Sequence, residues 1–254
     1  MRLCCAALPH APRQALGRLA ARALLATAIG LAASGVRGHD LITPEAVDRY
    51  LAVAEQNVSV LKSRAPAGRR AEASVALGRM LDEVRDLLNR DIATHGKVQG
   101  LPSNLLIDRL KAAGTPLPWS DRLGRYGAAT AYYATALELD PSGKRASEAI
   151  YGYLYGTFYD SFRDDPLSPF PQDPALVRTQ LTLGERFLRE FPGDANAEEV
   201  KFITAVVYVR AARSGGPDAR RHGARARELL QQFGREYPDS MRTAAVPVLL
   251  DALP

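Results

Sequence analysis

Phe187-Leu188-Arg189-Glu190-Phe191-Pro192 and Phe233-Gly234-Arg235-Glu236-Tyr237-Pro238 are one phrase written twice, 46 residues apart. Each closes an amphipathic stretch on a proline, which has no amide hydrogen to continue a helix and clashes with the preceding turn. Each is followed by a polar turn and a new helical stretch, Gly193-Asp194-Ala195 in one copy and Asp239-Ser240-Met241 in the other. A helix-ending phrase recurring at this period marks stacked helical hairpins, in which every pair buries its apolar face against its neighbours. Such arrays keep one long continuous surface open, and they bind more often than they react.

The helical pattern extends upstream. Thr43-Pro44-Glu45 opens a helix with a hydroxyl cap, proline at the first helical position and an acid in the first turn. Val47, Leu51, Ala54, Val58 and Leu61 then fall on one stripe. Pro66-Ala67-Gly68 stops that helix. The next carries Ala73, Leu77, Met80, Leu81, Val84, Leu88 and Ile92 on one face and ends near His95-Gly96. The short turn between the two predicts an antiparallel hairpin. Residues 96–119 are broken by Gly and Pro around a short helix at Leu105, Leu106 and Leu110, with Trp119 expected to bury its ring at a junction.

Beyond the junction, Ser120-Asp121 is read as the cap of a helix running to Leu139, and a second helix is expected from about 142 to 162. A Pro-rich loop over 164–174 separates these from helices at about 174–191, 195–213 and 217–237. A last helix over 240–252 is kinked or shortened by Pro247. No segment alternates for long enough to be a strand. The expected fold is all-α: a helical-hairpin array over 119–254, preceded by a helical hairpin and junction over 39–118.

Charge is unevenly placed. The chain has 33 Lys and Arg against 28 Asp and Glu, but five of those arginines (Arg2, Arg13, Arg18, Arg22, Arg37) lie in residues 1–38, which hold no acid. The rest is neutral, with 28 of each sign, so the basic total is no argument for nucleic acid. Residues 1–38 pattern as a secretory signal: a basic stretch to Arg22, an apolar run from Ala23 to Ala33, and small residues before His39. The run is too short to span a bilayer. Both cysteines, Cys4 and Cys5, precede it, so residues 39–254 have no thiol for a disulfide, a metal or a nucleophile. These features predict export to a periplasm, or secretion.

Ala129, Tyr133, Ala136 and Pro141 resemble the second helix of a tetratricopeptide repeat, closed by the phrase Ala136-Leu137-Glu138-Leu139-Asp140-Pro141. Tyr155-Gly156-Thr157-Phe158-Tyr159 is similar to the first helix of the following repeat, with Gly156 at the close-contact position. The Phe-x-x-x-aromatic-Pro endings resemble repeats of bacterial envelope proteins of the outer-membrane-assembly lipoprotein and Tol-Pal coordinator types. The spacing of the helix-ending prolines, 51 and then 46 residues, departs from the 34-residue form. The resemblance implies a helical superhelix whose first helices line an inner binding face.

The chain has no Gly-x-Ser-x-Gly elbow, His-Glu-x-x-His, phosphate loop or Cys-His metal spacing. No catalytic residue, cofactor or metal is therefore expected. His39, a new N-terminus if the leader is cleaved, has no second histidine placed beside it by any motif. Asp160, Asp164 and Asp165 are read as helix-end and loop solvation. Tyr151, Tyr155 and Tyr159 recur at steps of four, and Arg210, Arg213, Arg220, Arg221, Arg225 and Arg227 crowd one helix end and its loop. Tyr151, Tyr155, Arg210 and Arg213 are the candidate partner-binding residues, the tyrosines as a stacking and hydrogen-bonding surface and the arginines as an acid-binding one. The expected function is an interaction or scaffold protein for a protein or peptide of the cell envelope. Two alternatives remain: a cell-wall enzyme using Glu138, Glu148 or Glu185 as general acid, and a helical carrier of a small ligand.

Overall fold

The computed structural model describes residues 42–98, 100–161, 167 and 173–254. It is an all-α array. The helices are α1 (Pro44–Lys62), α2 (Ala67–His95), α3 (Leu101–Ala112), α4 (Thr130–Leu139), α5 (Ala146–Tyr159), α6 (Pro174–Glu190), α7 (Ala197–Arg213), α8 (Ala219–Glu236) and α9 (Val246–Asp251). A 3-10 turn, Met241–Ala245, leads into α9.

Local signals set the ends. Thr43 accepts the Ala46 N–H at 3.2 Å, and Gly96 ends α2 in the left-handed conformation at φ 75°. Both copies of the repeated phrase end alike: the Phe191 N–H bonds the Phe187 carbonyl at 2.8 Å, and the Tyr237 N–H bonds the Phe233 carbonyl at 2.9 Å. Pro247 falls in the first turn of α9, where its missing N–H costs nothing. The expected last helix is thus a 3-10 turn and a short α-helix.

Packing alternates between two layers. α2 pairs with α4, and α7 lies between α6 and α8; α5 contacts α4 and α6, and also touches both α2 and α7. The helices α2, α5 and α7 therefore form one layer, and α4, α6 and α8 the other. Val47, Leu51, Leu77, Leu81, Val84, Leu88, Leu106 and Leu110 form one apolar core with α1 and α3. Ile150, Leu154, Phe158, Phe187, Phe202, Phe233 and Leu249 belong to a second, centred on α7. Ala129 belongs to the first core, so packing is continuous across residue 119. Gly156 lies at a close contact: a Cβ there would lie 2.5 Å from the Ala128 Cβ.

Three sequence expectations are corrected. The helix expected from Ser120 begins only at Thr130. Residues before it form a small antiparallel ladder, with Trp119 paired to Tyr126 and Ser120 to Arg125. Gly124 turns that ladder at φ 63°. Asn89 of α2 holds it, donating to the Tyr126 carbonyl at 2.8 Å and accepting the Tyr126 N–H at 2.9 Å. Trp119 is 50% exposed, with its indole N–H on Asp121 at 2.9 Å and its ring edge-on to Tyr126. Its polar edge is satisfied locally, so nothing draws the ring inward. Asp160 is no solvated helix end: it is half-buried and accepts the Ala128 N–H at 2.6 Å. The residues 164 and 165 lie outside the described set, as do residues 1–41, where the leader expectation falls.

Candidate functional site

Helix α5 has four faces. Ala149, Gly152 and Gly156 lie against α4, where the Tyr133 ring fills the space beside Gly152. Ile150, Leu154 and Phe158 point into the second core. Tyr153 and Thr157 lie on the opposite side from the third face, which carries Tyr151, Tyr155 and Tyr159. The centroids of Tyr151 and Tyr155 are 5.6 Å apart, and those of Tyr155 and Tyr159 are 4.5 Å apart. The three rings are half-buried and tilted on one another, an arrangement aromatic pairs favour.

The ends of this row differ in what holds them. Tyr159 donates to Glu199 Oε1 at 3.0 Å. Tyr151 and Tyr155 donate no hydrogen bond to any described residue. Burial raises the pKa of all three tyrosines, and the Glu199 carboxylate adds to each shift. The phenols therefore stay protonated and act as neutral donors and acceptors.

Two charged clusters flank the row. On α2, Arg85 bridges Asp82 and Asp86, each at 2.8 Å. On the other side, Arg242 of the 3-10 turn pairs with Glu199 and lies 3.6 Å from Glu198, both at the start of α7. Beyond burial, the charges of Asp86 and Glu199 raise the Tyr155 pKa and those of Arg85 and Arg242 lower it. Asp82 also accepts the Ala129 N–H at 3.0 Å and the Tyr133 hydroxyl at 2.8 Å. With Asp160 on Ala128, it caps the start of α4 from neighbouring helices.

Of the four sequence candidates, the structure brings together Tyr151 and Tyr155. Arg210 is 7% exposed and donates to Ser161 Oγ at 2.8 Å. Arg213 donates to the Leu167 carbonyl at 3.1 Å. Both arginines thus hold residues of the α5–α6 connection against α7. Arg225 makes a two-point contact with Glu185, at 2.7 and 2.8 Å. Sequence reasoning missed the α2 acids and the Glu199–Arg242 pair. Asp82, Arg85 and Asp86 were legible as a local charge cluster, but Glu199 and Arg242 lie 43 residues apart and meet only through the fold.

Two of the three carboxylates considered for an enzyme, Glu148 and Glu185, are held in ion pairs. Glu148 pairs with Arg79 at 3.1 Å and Arg145 at 2.9 Å. Hydrogen bonding from Arg225 lowers the pKa of Glu185, whereas a general acid needs it raised. A cleft of about 380 Å³ opens between α6 and α8 beside Leu188, Lys201 and Tyr237, and its Lys201 is paired with Glu236. Among the described residues no three metal-ligating side chains converge, and no helix is long and apolar enough to cross a membrane. No protein-family model matches the chain, and neither the curated proteins nor the solved structures contain a match to it.

Proposed function

We propose that this chain is an exported interaction or scaffold protein, resembling tetratricopeptide-repeat proteins of the bacterial envelope, and that it binds an extended segment of a partner along Tyr151 and Tyr155. One observation carries the reading. These two tyrosines are fixed by packing, yet their hydroxyls donate no hydrogen bond to any described residue. Fixed rings lose little entropy on binding, and tyrosine supplies both apolar area and a polar tip. The segment would run along α5 with α2 on one side and α7 on the other. The periplasmic location rests on the basic and apolar pattern of residues 1–38 alone.

Site-specific photocrosslinking in cells tests this reading. A photoreactive amino acid at 151 or 155 should capture a discrete partner, and the same group at 153 should not. Tyr153 is the control because it lies on the same helix, has the same side chain and faces the opposite way. Equal capture from 153, or none from 151 and 155, rejects the site.

A further inference from the structure

The cleft between α6 and α8 is built from the repeated phrase itself. Leu188, Arg189 and Pro192 of one copy line it together with Glu236 and Tyr237 of the other, and α7 contributes Ala197 and Lys201. Its volume, about 380 Å³, falls within the roughly 300–1,000 Å³ of small-molecule sites. Leu229 and Ala197 supply a buried apolar floor, which the half-buried Leu188 and Tyr237 extend. Arg225 is committed: Glu185 takes its guanidinium at 2.7 and 2.8 Å and Glu228 at 2.6 Å. Lys201 is not. Its side chain is 12% exposed, and among the described residues its ammonium makes one hydrogen bond, to Glu236. An ammonium has three to donate. Glu236 itself is 48% exposed, so a shallow carboxylate covers a deep cation. With Arg186, Glu190 and Glu228, joined to the lining by ion pairs, four cations meet four acids. Net charge therefore selects nothing here, and depth does.

We propose that this cleft binds a carboxylate carried on a short apolar body, with the carboxylate on the Lys201 ammonium in place of Glu236 and the body over Leu188 and Leu229. A free carboxylic acid and the C-terminal residue of a peptide share that chemistry. None of the lining residues belongs to the tyrosine row, and the site is independent of it. Exchanging one carboxylate for another on Lys201 is nearly even electrostatically. The gain comes from the apolar area that the body removes from water against a floor already formed. The carboxylate supplies selectivity, because an uncharged analogue that displaces Glu236 leaves a largely sealed ammonium without its partner. The half-exposed Glu236 has solvent to turn to.

The test is an NMR titration of the isotope-labelled full chain with hexanoate and, separately, with its uncharged match hexanamide. Hexanoate should shift the backbone amide signals of Ala197, Lys201 and Gln232, and should bind roughly fivefold or more tightly than the amide. Glu236→Gln removes the competing carboxylate and should tighten hexanoate by roughly two- to fivefold, the range of an exposed ion pair. Lys201→Gln should abolish the preference for acid over amide. Acetyl-Ala-Ala-Leu, as free acid and as amide, separates the two sources. Tighter binding of its acid than of hexanoate assigns the site to a peptide C-terminus, and weaker binding assigns it to a free acid. Circular dichroism checks that each variant is folded, and the acid–amide comparison needs no variant at all. Equal affinity for acid and amide overturns the proposal. So does hexanoate that binds Glu236→Gln more weakly than the parent, or that moves none of the three amide signals up to its solubility limit.

Discussion

Tyr133 donates its hydroxyl to Asp82 across the α2–α4 interface at 2.8 Å, which fixes its ring between two helices that carry glycine at the contact. A Cβ on Gly78 of α2 would lie 2.8 Å from the ring, and one on Gly152 of α5 would lie 2.4 Å from it. Side chains do not approach that closely, and the tethered ring has little room to retreat. Gly152→Ala is therefore expected to destabilise the fold by about 1–3 kcal/mol through overpacking. That loss outweighs the gain of up to ~1 kcal/mol that alanine brings to a helix. Urea denaturation measures it, and a Gly152→Ala protein as stable as the parent would refute the packing account. Combining it with Tyr133→Ala should cost less than the two single losses added, because both act at one contact.

Gly234 makes the opposite case within the repeated phrase. It lies inside α8, its φ is not positive, and a Cβ there would meet nothing within 4 Å. The other copy of the phrase carries Leu188 at this position. Gly234→Ala should stabilise the protein by up to about 1 kcal/mol, through lower chain entropy in the unfolded state and better helix propensity. A lowered urea midpoint would mean that this face of α8 is not open.

Mild acid should not weaken the fold. Burial raises the pKa of Asp82, Asp160 and Glu199, outweighing Arg85, the Ala128 N–H and Arg242, which respectively oppose it. Each of these carboxyls binds its proton more readily in the fold than in the unfolded chain. Their linked stability rises as pH falls through the raised folded values, and levels off below the unfolded ones. Glu185 has the reverse sign: Arg225 lowers its pKa, so its contribution is lost only as pH falls through that lowered value. Between neutral pH and the ordinary carboxylate range, about pH 4, the first group dominates. Urea midpoints at about pH 5 should match or exceed those at about pH 7, and Glu199→Gln should flatten the slope. A parent protein that loses stability steadily over that interval contradicts this.

Helix existence was legible where apolar periodicity and punctuation agreed. The stripe Val47, Leu51, Ala54 and the stop at Gly96 both sit where periodicity and cap chemistry put them. The start of α4 was not legible. Ser120 and Asp121 look like a cap, yet the amides of Ala128 and Ala129 are satisfied by Asp160 and Asp82, from 32 and 47 residues away. No local pattern reveals a cap supplied by another helix. The candidate site divides in the same way. A step of four puts Tyr151 and Tyr155 on one face of any helix that contains them both. The arginine crowding at 210 and 213 carried no sign that Ser161 and Leu167 would claim those side chains.

Arg242 ties the 3-10 turn at the end of the array to Glu198 and Glu199 at the start of α7, and its removal should loosen that end. Its side chain is 13% exposed, and it pairs with Glu199, whose hydroxyl donor is Tyr159. Removing it leaves a largely sealed carboxylate with one neutral donor and loosens the 3-10 turn from α7. Breaking a buried pair from one side costs about 3–5 kcal/mol, and this pair is incompletely buried, so a loss of about 1–3 kcal/mol is expected for Arg242→Ala. Urea denaturation of Arg242→Ala measures it, and a midpoint equal to the parent's would show that the pair adds nothing to the hold of the 3-10 turn on α7.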